Sequence, residues 1–129
     1  MTLFQIVALY IALNLILAPI LLYRVVQVRL GKRINLGDGS DELMLSRIRA
    51  HGNFTENAPL ALIGLIGLAM LSAHPIALHI FGAAIIIARI LHALGMAGKF
   101  GQGRFLGTLL TLIIFLGEAG YMLFLVFTG

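Results

Sequence analysis

Cysteine is absent from this chain, and so is tryptophan. Without a thiol there can be no disulfide, no iron-sulfur ligation, no thiolate zinc site and no cysteine nucleophile, so any sulfur chemistry must use a substrate's own thiol. Charge is nearly as scarce. Only 11% of residues are charged, and five of these are acids. A soluble chain of 129 residues would need far more polar surface. What fills the sequence is apolar, 60% by count with a mean hydropathy of +1.05, in long blocks rather than a core-facing stripe. These features describe an integral membrane protein, and the length allows one domain, residues 1–129. The pI near 10.1 could also suit a nucleic-acid binder. The basic residues, however, form no face on a soluble module and no aromatic stacking pattern accompanies them, so no nucleic-acid partner is expected.

The pattern predicts four helical spans, at about residues 3–29, 41–72, 76–97 and 104–127. Leu3 to Tyr23 is broken only by Gln5, Asn14 and Pro19. No positive residue precedes it and no small-residue cleavage pattern closes it, which favours a retained span over a signal peptide. A basic connection follows, with Arg24, Arg29, Lys32 and Arg33, and ends in the turn Gly37 to Ser40. Ser40 is the expected N-cap of the second helix, with Asp41 and Glu42 in its first turn. That helix would be about 48 Å long, against about 30 Å of hydrocarbon, so its first half must protrude or line a polar cleft. Pro59 predicts a kink that opens space beside Glu56. The short link Ser72 to Pro75 returns the third span antiparallel, and the glycine-rich turn Gly98 to Gly103 leads into the fourth. Gly103, Gly107 and Thr111 recur at helical spacing and allow close helix contact.

The unusual chemistry is concentrated between Arg47 and Leu71, where charged and amide side chains run straight into an apolar helix. At about 3.6 residues per turn, Arg49, Gly52, Asn53 and Glu56 share one stripe and Arg47 lies off it. Such groups near hydrocarbon must pair, line a wet cavity or hold a ligand. Counting from the link between the second and third helices puts His92 level with Glu56 and Arg89 near Pro59, so Glu56 and Arg89 are expected to touch. Arg89, His92 and Met96 share a face. A buried Glu-Arg pair that only fixes packing would use the same residues. Glu118 and Asn14 fall at similar depth and are expected to hydrogen-bond. A structural or transporter-like protein would rely on these two residues instead of the basic cluster.

All nine Lys and Arg lie in two segments, Arg24 to Arg49 and Arg89 to Arg104. Four spans place both segments on one side, cytoplasmic by the positive-inside rule, with both termini outside. The second helix's polar cluster, Arg89, His92 and Arg104 then converge as a cationic pocket containing one acid, Glu56. Such a pocket suits a small polyanion that carries an ammonium group, with an apolar partner arriving from lipid.

Arg49-Ala50-His51, then Asn53, Glu56 and Pro59 at the entry to an apolar span, resemble the signature of the MAPEG family, the membrane-associated proteins in eicosanoid and glutathione metabolism. The resemblance continues through Gln27-Val28-Arg29, Arg89, His92 and Arg104, and so covers essentially the whole chain. It implies an all-α, four-helix integral membrane subunit packed as a homotrimer, with glutathione as co-substrate between subunits near the cytoplasmic face. By that resemblance Arg29, Arg49, Asn53, Glu56, Arg89 and His92 would bind glutathione, and Arg104 would lie nearest the sulfur as the catalytic residue. No metal is implied. A prokaryotic-type member in a bacterial inner membrane, with transferase or peroxidase activity on hydrophobic electrophiles, is the implied function. The chain departs from the eicosanoid synthases at Gly52, where they often carry a second arginine, at Met96, where a tyrosine is expected, and at Phe105, where a serine can follow the catalytic arginine.

Overall fold

A computed structural model describes all of residues 1–129. Four helices make up the chain: α1 (Leu3–Lys32), α2 (Glu42–Met70), α3 (Pro75–Met96) and α4 (Gly103–Thr128), with no strand, so the chain is all-α as expected. Helix starts are set by whatever can answer the free amides of a first turn. At α1, Thr2 Oγ1 accepts from the Gln5 amide at 3.2 Å and Gln5 Oε1 accepts from the Thr2 amide at 2.7 Å. This reciprocal capping box gives Gln5 a role that its reading as an interruption had missed. α3 starts with Pro75, whose missing N–H is no loss there, behind a His74 cap.

α1 outruns its expected end and carries Arg24 and Arg29 on to Lys32. Arg, Gln and Lys are good helix formers, and cations in a last turn face the negative end of the dipole. The expected cap of α2 also moves. Ser40 has φ 57, in the left-handed region, whereas Asp41 has extended backbone and accepts from the Met44 amide at 2.8 Å. An N-cap needs that extended conformation, so the turn's geometry hands the role from Ser40 to Asp41. Lys32 Nζ meets Asp41 Oδ2 at 2.5 Å and ties the end of α1 to the start of α2. The hydrogen bond from Lys32, then that from the Met44 amide, holds the Asp41 carboxyl below its ordinary value.

Contacts between helices show an up-and-down bundle. Leu21 of α1 packs with Ala50 and Phe54 of α2, and Tyr10 Oη of α1 lies 2.9 Å from His79 Nδ1 of α3. α3 and α4 run antiparallel and very close, with Gly95 against Arg104 and Gly107 against Ala88 and His92. α1 and α4 make no close backbone approach; α2 and α3 lie between them. The expected Asn14 to Glu118 bond is therefore not formed, and Asn14 Nδ2 donates to its own helix, to the Tyr10 carbonyl at 2.8 Å. Equal depth in the bundle did not make them neighbours.

The outside of the bundle is apolar, with Leu15, Ile63, Leu116 and Phe127 all exposed. α1, α3 and α4 are long and apolar enough to cross a membrane. α2 falls short of that composition because its first half carries Glu42, Arg47, Arg49 and Glu56, yet it runs the length of the bundle antiparallel to α1 and α3. Pro59 does not divide it, and the helix is continuous to Met70. Both termini and the α2–α3 link lie at one end; the two basic loops lie at the other.

Candidate functional site

Building from α2 outward, the polar stripe is real. Arg49 Nη1 and Nη2 each lie 3.4 Å from the Glu56 carboxylate oxygens, two turns further along the same helix. Gly52 lies between them, and a side chain there would begin 3.1 Å from Arg49 Nη1 and 3.7 Å from Glu56 Oε1. The glycine thus clears the path for a pairing that a second arginine would crowd. Both partners are exposed, at 48% and 58% of their side-chain surface. Such a pair contributes at most about 1 kcal/mol, so a ligand can open it cheaply.

Asn53 is half-buried at the inner edge of the stripe, and there it meets α3. Arg89, only 3% exposed, donates through Nη1 to the Asn53 carbonyl at 3.1 Å and to Asn53 Oδ1, and through Nη2 to Thr111 Oγ1 of α4. Glu56 is not its partner, contrary to expectation. Glu56 points outward to Arg49, and the Arg89 guanidinium leans one turn towards the polar end of the bundle. Arg89 also lines a void of about 10 Å³ with Asn57 and Ala58, so its long side chain bridges that layer and Asn53, one turn nearer the polar end. The void has room for about one water. Three helices are pinned by one cation that has no acid beside it.

His92 is buried next to Gly107 and accepts no bond from a protein donor, while Arg89, Arg104 and Arg49 all lie within electrostatic reach of it. Arg104 is exposed in the first turn of α4, where the N-cap residue Gln102 makes no side-chain cap hydrogen bond. Arg29 stands apart. Its guanidinium donates to the Gly37 carbonyl at 2.9 Å and to that of Ile34 at 3.4 Å, which holds the α1–α2 loop. The structure thus brings Arg49, Asn53, Glu56, Arg89, His92 and Arg104 to one end of the bundle, and leaves Arg29, in the last turn of α1, bound to the neighbouring loop. None of the bundle's three cavities is lined by Arg49, Glu56, His92 or Arg104, and because Arg49, Glu56 and Arg104 are exposed this face is open in the single chain.

Sequence reasoning missed Thr111 and Asn57. Thr111 had been read only as a small packing residue, although it lies about as far past the glycine-rich turn as Arg89 lies before it. Asn57 Nδ2 donates to the Asn53 carbonyl at 2.9 Å and fixes the acceptor that Arg89 uses. Its position one turn after Asn53 was the available signal.

The model of the MAPEG family matches residues 7–124. The inner membrane protein YecN, from two Escherichia coli strains, is 31% identical over 97 residues, which cover 75% of this chain and 74% of the relative. No solved structure matches the chain at a significant level.

Proposed function

The chain belongs to the MAPEG family, and from that premise we propose that it binds glutathione at the basic end of its bundle. There it conjugates or reduces hydrophobic electrophiles or lipid peroxides, in the manner of a microsomal glutathione transferase. The observation that supports this reading most is the cluster of Arg49, Arg89 and Arg104 around His92, with Glu56 as its one acid. Glutathione offers two carboxylates to guanidiniums and an ammonium to Glu56. Arg49 and Glu56 already satisfy each other weakly, and the ends of the tripeptide would exchange into that pair. Asn53 supplies an amide, Arg29 sits at the adjoining loop, and Arg104 adds its charge to the positive end of α4. A cation and helix dipole at the sulfur favour thiolate, the reactive form.

The open face also supports a homotrimer, in which a neighbouring subunit supplies the missing wall. The protein would lie in a bacterial inner membrane with its basic loops in the cytoplasm and both termini outside, and the hydrophobic substrate would enter from lipid. A transport role built on Asn14 and Glu118 has less support, because α2 and α3 separate them. Calorimetry of glutathione on the purified protein tests the binding. Heat of binding is expected for the wild type and for Arg47→Ala, and a weakened signal for Arg49→Ala and Glu56→Gln. No heat from the wild type would end the glutathione reading. Native mass spectrometry in mild detergents should give a trimer, and monomers or dimers alone would remove the shared pocket.

A further inference from the structure

A second polar feature lies towards the end of the bundle away from the basic loops, where the proposed chemistry has no use for it. Glu118 is 3% exposed and makes no hydrogen bond, and its Oε1 is sealed from solvent without a partner. It lines an open groove of about 460 Å³ between α2 and α4, walled by Leu60, Ile63, Gly67, Phe115 and Met122 among others. Gly64 of α2 lies so close to the carboxyl that a side chain there would displace it. The acid is thus seated in the wall of the groove by a glycine.

Nothing in the chain satisfies this carboxyl. Every Lys and Arg lies at the other end. In its own layer of the bundle, Tyr10 Oη is engaged with His79 and Asn14 Nδ2 with the Tyr10 carbonyl. The exposed side chains of that layer include Leu13, Leu60, Ile63, Ile80 and Leu116, all apolar. A second copy in the same membrane could therefore cover the groove, but those apolar side chains would bring the carboxyl no donor, and half-buried His79 of the same layer is already held to Tyr10 through Nδ1. An unpaired carboxyl in hydrocarbon is expensive to keep, whereas one paired with a cation costs less. The groove also falls within the size of small-molecule sites, roughly 300–1,000 Å³.

We propose that this groove binds a membrane-soluble amphiphile with an N–H ammonium head. The head pairs with Glu118 and the apolar body lies along Phe115 and Met122, where the flexible thioether adapts to its shape. The occupant's ammonium could belong to a free alkylamine or to an aminophospholipid, and the two can be told apart.

The probe is dodecylamine, with dodecanol as its uncharged counterpart, added to the full-length protein in dodecyl maltoside and read as adducts by native mass spectrometry. The wild type should retain the amine at roughly tenfold lower concentration than the alcohol, a ratio in the range of one charge-assisted contact. Glu118→Gln, which keeps the shape, should bring that ratio to about one. Ile63→Trp, which fills the groove and leaves the acid, should abolish both adducts. Displacement of dodecylamine by phosphatidylethanolamine but not by phosphatidylcholine would identify the lipid as the source, and no displacement by either would identify a free amine. Equal retention of amine and alcohol by the wild type would overturn the proposal. So would an amine preference that survives in Glu118→Gln, or an Ile63→Trp protein that loses its assembly while keeping the amine.

Discussion

Replacing Arg89 by Met should leave the protein folded and lower its stability by less than about 3 kcal/mol. The guanidinium is 3% exposed and bonded to Asn53 and Thr111, with no carboxylate beside it. Hydrogen bonds from a charged donor contribute roughly 1.5–3 kcal/mol each, so the Nη2 bond and the two Nη1 contacts to Asn53, counted as one shared bond, give about 3–6 kcal/mol. Against this stands the transfer of a guanidinium into hydrocarbon, roughly 2.5–3.5 kcal/mol at the bilayer centre on insertion scales. Arg89 is seven residues from the end of α3 at Met96, or about 10 Å, so its burial costs somewhat less than that. The partners largely recover after the substitution. Thr111 Oγ1 keeps its bond to the Gly107 carbonyl at 2.7 Å, and the Asn53 carbonyl keeps Asn57 at 2.9 Å, so only Asn53 Oδ1 is orphaned. Met restores the apolar stem without the charge. The assay is dodecyl sulfate titration of the protein in dodecyl maltoside micelles, followed by far-ultraviolet circular dichroism. A loss above about 5 kcal/mol, or a variant that never becomes helical, would show that pairing far outweighs burial and refute the reasoning. A folded Arg89→Met protein that no longer binds glutathione would mean that the cation is kept for its ligand.

Three further outcomes are expected. The Asp41 carboxyl should titrate below its ordinary value of 3.8, so its contribution to stability is complete above that pH and is lost only as pH falls through the lower folded value. A carbon NMR titration reads the midpoint, which Lys32→Ala should raise; a midpoint at or above the ordinary value would contradict the Lys32 contact. Gly107→Ala would place a methyl 2.7 Å from the Ala88 carbonyl oxygen and 2.8 Å from the His92 amide nitrogen, both backbone atoms that cannot turn aside. The helices must part, at about 1–3 kcal/mol, and an unchanged melting temperature would mean that the approach is looser than it looks. A C-terminal phosphatase fusion should be active, because every basic residue lies away from that terminus, and a fluorescent cytoplasmic reporter at the same place would reverse the orientation.

The bundle could be read from the sequence because its causes are local. Apolar runs, Pro75 behind a short link and a glycine-rich turn each act within a few residues, and the four helices lie where those signals put them. The cap of α2 was misplaced by one residue because Ser40 and Asp41 are both good caps by composition, and only the backbone angle of Ser40 decides between them. Depth counting put Arg89 near Pro59, and Arg89 lines a void with the adjoining Asn57 and Ala58. It failed for the side chain, since a long guanidinium moves along the bundle to where water and amides are, and so reaches Asn53 rather than Glu56. The Asn14 and Glu118 pairing failed for another reason. Depth is one coordinate, and which helices are neighbours depends on packing that no single span encodes. The open basic face could not be read at all, because the pattern of residues on α2 does not say which of them lack a wall.

If Arg104 turns bound glutathione into a thiolate, as proposed, the step is read by the ultraviolet difference band of the thiolate, recorded on adding glutathione to wild type, Arg104→Ala and Arg47→Ala. Arg104 is exposed at the uncapped start of α4, away from the Asn53 and Thr111 contacts that hold Arg89, so its removal should leave the bundle and much of the binding intact. A thiolate band is expected in the wild type and in Arg47→Ala, with loss of that band in Arg104→Ala at glutathione concentrations where calorimetry still shows binding. An undiminished band in Arg104→Ala, or no band in a wild type that binds glutathione, would contradict it.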